Sequence, residues 1–242
     1  MTRPPKPLVI AHRGASAARP ENTPAAFQLA IEQSADMIET DLHRTRDGAV
    51  VVTHDESLAG LGGRGEIADA TLAEVRALDA GGGAKVPTLD EVLDAFGTAV
   101  AWNLELKRGT RADYPGLEAL ALAAVVRRGL LAHTLFSSFY DSVLARLRAL
   151  APAARIGLLL SRRHPQAAFE RARSLGAEAI HPEVALIEPD WVGRAHAAGL
   201  AVYGFTVDDP AEMRRLLAMG VDGLFSNHPD RLRAIVDAGP TD

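Results

Sequence analysis

Two short segments carry charged side chains at every second position. In Ile38-Glu39-Thr40-Asp41-Leu42-His43, an extended strand would put Glu39, Asp41 and His43 on one face and Ile38, Thr40 and Leu42 on the other, because strand side chains alternate. In Trp102-Asn103-Leu104-Glu105-Leu106-Lys107, the residues Asn103, Glu105 and Lys107 share a face opposite Trp102, Leu104 and Leu106. Carboxylates crowded on a buried face repel each other and are costly to desolvate. A bound cation removes that cost, and a ligand set made only of oxygens suits Mg²⁺ or Ca²⁺. Glu39, Asp41 and Glu105 are therefore the expected ligands of one divalent ion. Taken singly, either segment also fits an exposed strand. Two strands with the same apolar side opposite a charged side fit a barrel wall, which has no solvent face.

Two histidines end other apolar runs. His12, followed by Arg13, closes Ile10-Ala11, and His54 closes Val51-Val52-Thr53. Imidazoles titrate near neutral pH, so the pair can serve as a base and an acid. Arg13 and Lys107 add fixed positive charge. Hydrolysis of a phosphodiester needs its anionic oxygens neutralised, a base for the nucleophile and an acid for the leaving alkoxide. The set offers all of these. His43 and His181 are further candidates for the pocket; His133, His164, His196 and His228 fall in loops or helices and take no role.

These groups must be brought to one place by the elements that carry them. Strand-like runs at 8–11, 37–42, 49–53, 100–106, 134–137, 155–160, 179–181, 200–206 and 223–225 alternate with helical patterns at 23–34, 71–78, 88–96, 117–128, 141–150, 167–175, 189–198, 210–219 and 230–238. Such alternation predicts a parallel α/β fold. No glycine-rich phosphate loop follows the first strand, and the polar residues of interest end many different strands. Both features favour a (β/α)8 TIM-type barrel over an open sheet. There are nine strand candidates for eight places, and the link 42–49 is too short for a helical crossover. Thr45-Arg46-Asp47-Gly48 offers a hairpin turn in its place, with a tight crossover as the alternative. The stretch 56–87, with its triple glycine at 81–83, reads as a short excursion from one catalytic domain covering 1–242.

Composition agrees with this picture. The chain has 242 residues, near the roughly 250 that a barrel typically needs. Apolar residues make up 48% while aromatics are only 5%, so Ala, Val and Leu must fill the interior. A net charge of -5 gives no broad attraction for nucleic acid. The absence of cysteine excludes disulfides, thiolate metal sites and thiol nucleophiles. The apolar run at 8–11 is too short for the core of a signal peptide, and no stretch reaches the ~20 residues of a membrane span. A cytoplasmic protein acting on a small molecule is expected.

In order and spacing, several motifs resemble the glycerophosphodiester phosphodiesterase family. They are His12-Arg13-Gly14, Pro20-Glu21-Asn22-Thr23, Ala35-Asp36 with Ile38-Glu39-Thr40-Asp41, Asp47-Gly48, His54-Asp55, Pro87-Thr88-Leu89 and Glu105-Leu106-Lys107. Ser138-Phe139, Thr206-Val207 and Gly220-Val221-Asp222-Gly223 extend the likeness over nearly the whole chain. The resemblance implies a barrel that hydrolyses a glycerophosphodiester to glycerol 3-phosphate and an alcohol. It implies Mg²⁺ or Ca²⁺ on Glu39, Asp41 and Glu105, an acid–base pair of His12 and His54, and Arg13 and Lys107 at the phosphate. Direct attack by water and a cyclic phosphate formed by a glycerol hydroxyl both remain open.

The chain also departs from the family pattern. Ala59-Gly60-Leu61 stands where Arg-Thr-Thr is common, and the insertion at 56–87 is short. Ser34 replaces a common glycine before Ala-Asp, and Phe205 replaces a common tryptophan before Thr-Val. These changes bear on the alcohol side of the substrate. A lysophospholipase D-type activity would use the same site with an apolar channel for an acyl chain. A phospholipase C-type transfer is a more distant alternative, and a catalytically silent phosphate-binding barrel is the alternative outside enzymes.

Overall fold

A computed structural model of the chain describes residues 6–239. Strand β1 (Leu8–His12) leads through helix α1 (Pro24–Glu32) to β2 (Met37–Arg44). Thr23 caps α1 by accepting from the Ala26 amide, and Pro24 fills the first turn, where a missing N–H costs nothing. After the short β3 (Val50–Val52) come two 3-10 turns, Leu58–Leu61 and Ile67–Asp69, then α2 (Leu72–Arg76) and α3 (Leu89–Phe96). Both helices open on reciprocal capping boxes, Thr71 with Glu74 and Thr88 with Glu91.

From there the chain alternates without interruption: β4 (Ala101–Leu106), α4 (Leu117–Val126), β5 (Thr134–Ser138), α5 (Asp141–Leu150), β6 (Arg155–Leu160), α6 (Ala168–Ser174), β7 (Ala179–Pro182), α7 (Trp191–Ala197), β8 (Ala201–Gly204), α8 (Pro210–Ala218), β9 (Gly223–Ser226) and α9 (Pro229–Ala238). Strands β1, β2 and β4 to β9 pair in parallel, and the β1–β9 and β1–β2 ladders close them into an eight-stranded barrel. Among the described residues, no helix is long and apolar enough to cross a membrane.

The surplus strand is β3, which pairs antiparallel with the end of β2, Leu42 opposite Val52 and Arg44 opposite Val50. β2 outruns β1, whose pairing stops at His12 opposite Glu39. The Glu39 carbonyl accepts from Arg13 on that edge, and the Asp41 carbonyl, two residues on and facing the same way, accepts from Thr53. β3 thus covers the edge that β1 leaves bare. The hairpin turn is held by Gly48 N–H to Thr45 O at 3.0 Å and by Thr45 Oγ1 to Asp47 Oδ1 at 2.7 Å, with Gly48 at φ +91°. That conformation is open to glycine at little cost.

Three apolar layers result. Outward residues of the strands, among them Ile38, Leu42, Trp102, Leu104 and Leu106, pack under the helices. Ile10, Met37, Leu135, Ala179, Tyr203 and Phe225 form a smaller core inside the barrel. The excursion has its own core of Leu58, Ile67, Ala70, Val75 and Val86 against Val51 of β3. It is therefore an appendage of the hairpin and contributes no barrel strand. The strand expected at 200–206 ends earlier, at Gly204; Phe205 and Thr206 leave it and line the barrel mouth.

Candidate active site

The strand register sets the site. Across the β2–β4 ladder Glu39 lies opposite Asn103 and Asp41 opposite Glu105, while His12 of β1 lies opposite Glu39. Ligand oxygens of Glu39, Asp41 and Glu105 all fall within 4.8 Å of one another, and all three residues are buried. A cavity of about 180 Å³ opens above them, lined by His12, Arg13, Glu39, His54, Glu105 and Lys107. Asp41, the remaining residue of the expected set, is 1% exposed and does not line the cavity; it pairs with Lys107, which does. Phe139, Leu159, Phe205 and Phe225 give the cavity an apolar wall.

The cations are already engaged. Lys107 Nζ lies 2.8 Å from Asp41 Oδ1 and 2.7 Å from Glu105 Oε1. Arg13 Nε lies 3.2 Å from Asp41 Oδ2, and its Nη1 lies 2.9 Å from Glu21 Oε2. The Arg13 amide donates to both the Glu39 carbonyl, at 3.0 Å, and Glu39 Oε2, at 3.1 Å. Arg13 does this from the left-handed region, at φ +57°, a conformation that costs a non-glycine residue of order 1 kcal/mol or more and is typical of functional sites.

Charge is unevenly distributed. Burial, then Asp41 and Glu105, push the Glu39 carboxyl well above the usual carboxylate range. Burial also raises Glu105 against the pull of Lys107. Asp41 goes the other way: burial is outweighed by Lys107 and Arg13, which hold it low. Lys107 is held firmly protonated by Asp41 and Glu105 despite its burial. Three carboxylates in one buried pocket thus exceed the positive charge that the chain itself supplies. That imbalance, together with an all-oxygen donor set, fits a divalent cation.

The two histidines are held differently. Burial, followed by the Arg13 charge, pulls the His12 imidazole down to about 4, so it stands neutral at physiological pH. Its Nδ1 is 2.7 Å from Asn227 Oδ1. His54 is more exposed, and its Nδ1 donates to Asp55 Oδ1 at 2.7 Å.

Residues outside the expected set support it. Asn22, at φ +57°, donates from Nδ2 to Asp41 Oδ2 at 2.9 Å and accepts from Thr40 Oγ1 at 2.6 Å. Asparagine tolerates this conformation better than most residues. His43 does not line the cavity. It is 1% exposed, with Nε2 3.0 Å from the His54 carbonyl and Nδ1 2.7 Å from the Tyr114 hydroxyl. His181 is also absent from the lining; it is 0% exposed and packs against the rings of Tyr203 and Phe225. Asn22 stood inside a recognisable motif, but its bond to Asp41 depends on a loop conformation that spacing does not reveal.

Known proteins share this architecture. A protein named glycerophosphodiester phosphodiesterase from Caldanaerobacter subterraneus subsp. tengcongensis is 36% identical over 97% of this chain and 99% of its own. A crystal structure from Silicibacter pomeroyi matches with a TM-score of 0.90 at 30% identity, covering 98% of this chain and 96% of the other. An Oleispira antarctica phosphodiesterase, solved in complex with the product sn-glycerol-3-phosphate, matches with a TM-score of 0.84 at 34% identity, covering 96% of this chain and 97% of that one. Residues 12–231 match the profile of the Glycerophosphoryl diester phosphodiesterase family, a span that begins at His12 and takes in every residue of the site. The chain belongs to that family.

Proposed function

We propose that this protein hydrolyses glycerophosphodiesters to glycerol 3-phosphate and an alcohol, with one Mg²⁺ or Ca²⁺ held by Glu39, Asp41 and Glu105. The observation that carries the reading is the meeting of this acidic triad with His12, His54, Arg13 and Lys107 around one cavity. The product bound to the Oleispira antarctica relative supports glycerol 3-phosphate as one half of the substrate. When bound, the ion would supply Lewis-acid neutralisation of the phosphate's charge.

The chain's own residues then divide the work. Arg13 and Lys107 face the phosphate oxygens with fixed charge. His12, held neutral by its surroundings, takes the proton from the attacking oxygen, that of water or of a glycerol hydroxyl, as the new O–P bond forms; on the second route water then opens the cyclic phosphate to glycerol 3-phosphate. His54 gives a proton to the alcohol oxygen as its bond to phosphorus breaks. The apolar wall of Phe139, Leu159, Phe205 and Phe225 packs against the carbon skeleton and keeps water from the cavity's far side. The Asn103 side chain, buried at the cavity wall with neither of its amide atoms bonded, offers a donor and an acceptor to the substrate.

The test is a coupled assay for glycerol 3-phosphate across several glycerophosphodiesters, after EDTA and after return of Mg²⁺ or Ca²⁺. Release that depends on the added ion is expected. Turnover of a lysophospholipid alone would shift the substrate to a lysophospholipase D type, and indifference to EDTA would sink the metal site.

A further inference from the structure

The His12 imidazole is the end of a directional chain of hydrogen bonds. Its Nδ1 lies 2.7 Å from Oδ1 of Asn227, which follows β9, the neighbour of β1 in the barrel. The Asn227 amide has one orientation. Its nitrogen lies 2.6 Å from Oδ2 of Asp208, and a carboxylate only accepts. The other oxygen of Asp208 accepts from the Asn227 main-chain N–H at 2.8 Å and from Ser226 Oγ at 3.0 Å, so the carboxylate is itself fixed. With its side-chain nitrogen committed to Asp208, Asn227 can present only an acceptor to His12. Nδ1 of His12 must then carry the ring proton, and Nε2, 4.0 Å from Glu39 Oε2, is left bare.

We propose that Asp208 and Asn227 are positioning residues that hold His12 in its Nδ1–H tautomer and so keep a lone pair on Nε2 for the attacking hydroxyl. This rests on the reading of His12 as the base. A catalytic base needs its lone pair aimed at the proton it removes, and a histidine in the wrong tautomer is catalytically impaired although nothing in the site has moved.

The chain of donors makes a sharp prediction. Asp208→Asn keeps shape but leaves one acceptor oxygen, which the fixed Asn227 main-chain N–H claims, so the amide nitrogen falls against the Asn227 side-chain nitrogen. The Asn227 amide then turns, its nitrogen faces His12, and the ring proton moves to Nε2. Ser16 tolerates the turn, because its hydroxyl lies 2.8 Å from both Asn227 Oδ1 and the His12 carbonyl and can donate to the latter. Adding Asn227→Asp restores the order: the carboxylate so introduced accepts from the amide at 208 on one side and from Nδ1–H of His12 on the other.

The experiment uses the intact, Mg²⁺-loaded enzyme. Two-bond ¹H–¹⁵N spectra of the histidine rings read the tautomer, with His12 assigned by its loss in His12→Asn, and steady-state kinetics run in parallel. The expected result is an Nδ1–H ring in the wild type and an Nε2–H ring in D208N, with kcat lower by about 100-fold and KM little changed. The D208N/N227D enzyme should regain the wild-type tautomer and most of kcat. An unchanged tautomer in D208N, or a double variant no better than D208N, overturns the proposal. If D208N does not fold, an Nε2–H ring in the double variant overturns it equally. Full activity in His12→Asn would instead remove the base assignment, and the tautomer measurement would stand apart from that failure.

Discussion

Asp41 and Glu105 are direct partners across the β2–β4 ladder, and one ammonium, that of Lys107, bridges their carboxylates at 2.8 and 2.7 Å. Glu39 completes the cluster but has only the Arg13 amide and distant charges to offset its own. The triad is therefore a place where the fold holds more negative charge than it can neutralise.

Glu39→Gln keeps the shape and removes a carboxylate whose ionisation the fold opposes. Without divalent ions, E39Q should be as stable as the wild type or more so at neutral pH. The wild type should gain stability on adding Mg²⁺ or Ca²⁺, by about 2.7 kcal/mol at a hundredfold excess over Kd, and E39Q should gain little. Thermal melts with and without the ion, beside the activity assay, measure both. A wild-type melting curve that does not respond to either ion would contradict the assignment of Glu39, Asp41 and Glu105 as ligands.

The Tyr114–His43 pair predicts a defect in holding His54. A carbonyl only accepts, so His43 must donate from Nε2 to the His54 carbonyl and accept at Nδ1 from the Tyr114 hydroxyl. Tyr114→Phe leaves the edge-to-face ring contact, at 5.4 Å, but strips the buried Nδ1 of its donor. We expect a loss of about 1–2 kcal/mol in unfolding free energy. Because the His54 main chain loosens, kcat should fall by about tenfold at most. Chemical denaturation and steady-state kinetics test the two effects separately, and unchanged stability would show that the hydroxyl does not support the ring.

Much of this arrangement was legible in the residues. Alternation along 38–43 and 102–107 placed Glu39, Asp41 and Glu105 on inward faces, because a pleated strand has only two sides. The short 42–49 link excluded a helical crossover and left a hairpin or a tight crossover, between which the antiparallel β2–β3 ladder decides. What the sequence left dark are contacts made by backbone that is neither strand nor helix. Asn22 reaches Asp41 from a left-handed residue, and Asn227 reaches His12 across the β1–β9 seam, 215 positions away in sequence. His43 shares the face of Glu39 and Asp41, yet the His54 carbonyl and the Tyr114 hydroxyl engage its ring, so periodicity alone suggested a pocket role it does not have.

Acid should destabilise the fold through its buried neutral histidines. Burial brings His181 down to about 3, and burial brings His12 and His43 to about 4, from an ordinary 6.5. Between those values and 6.5 the unfolded chain binds more protons than the folded one. Each histidine's contribution is therefore complete above about pH 6.5 and is lost as pH falls toward its folded value, by up to about 1.4 kcal/mol per pH unit. Glu39 and Glu105, raised in the fold, act with the opposite sign over their own range. His181→Leu isolates one contribution, since neither ring nitrogen has a hydrogen-bond partner in the fold. Urea melts from pH 7 to pH 5 should show a shallower loss in H181L than in the wild type, with equal or higher stability at pH 7. Parallel curves would mean that His181 takes up its proton in the folded protein over the same pH range as in the unfolded chain.

The excursion should govern which alcohol leaves. His54 lines the catalytic cavity and also a second one of about 130 Å³, whose walls include Glu21, Asp55, Ser57, Gly60, Leu61 and Ala80. If His54 protonates the leaving oxygen, the alcohol departs toward this second cavity. Its wall is where Ala59-Gly60-Leu61 replaces the bulkier family sequence. Gly60 has room for a side chain, since a Cβ there would meet only Asp55 Oδ2 at 3.5 Å, an ordinary contact. Gly60→Val should therefore fold normally and fill part of the cavity. Relative kcat/KM should fall for glycerophosphoinositol and glycerophosphocholine against glycerophosphoethanolamine, by about 10-fold or more, as expected when a pocket loses room for one or two heavy groups. The comparison cancels any general effect on the glycerol half, because that half is common to all three substrates. An equal loss for all three would place the alcohol elsewhere and leave the excursion with a purely structural part in the fold.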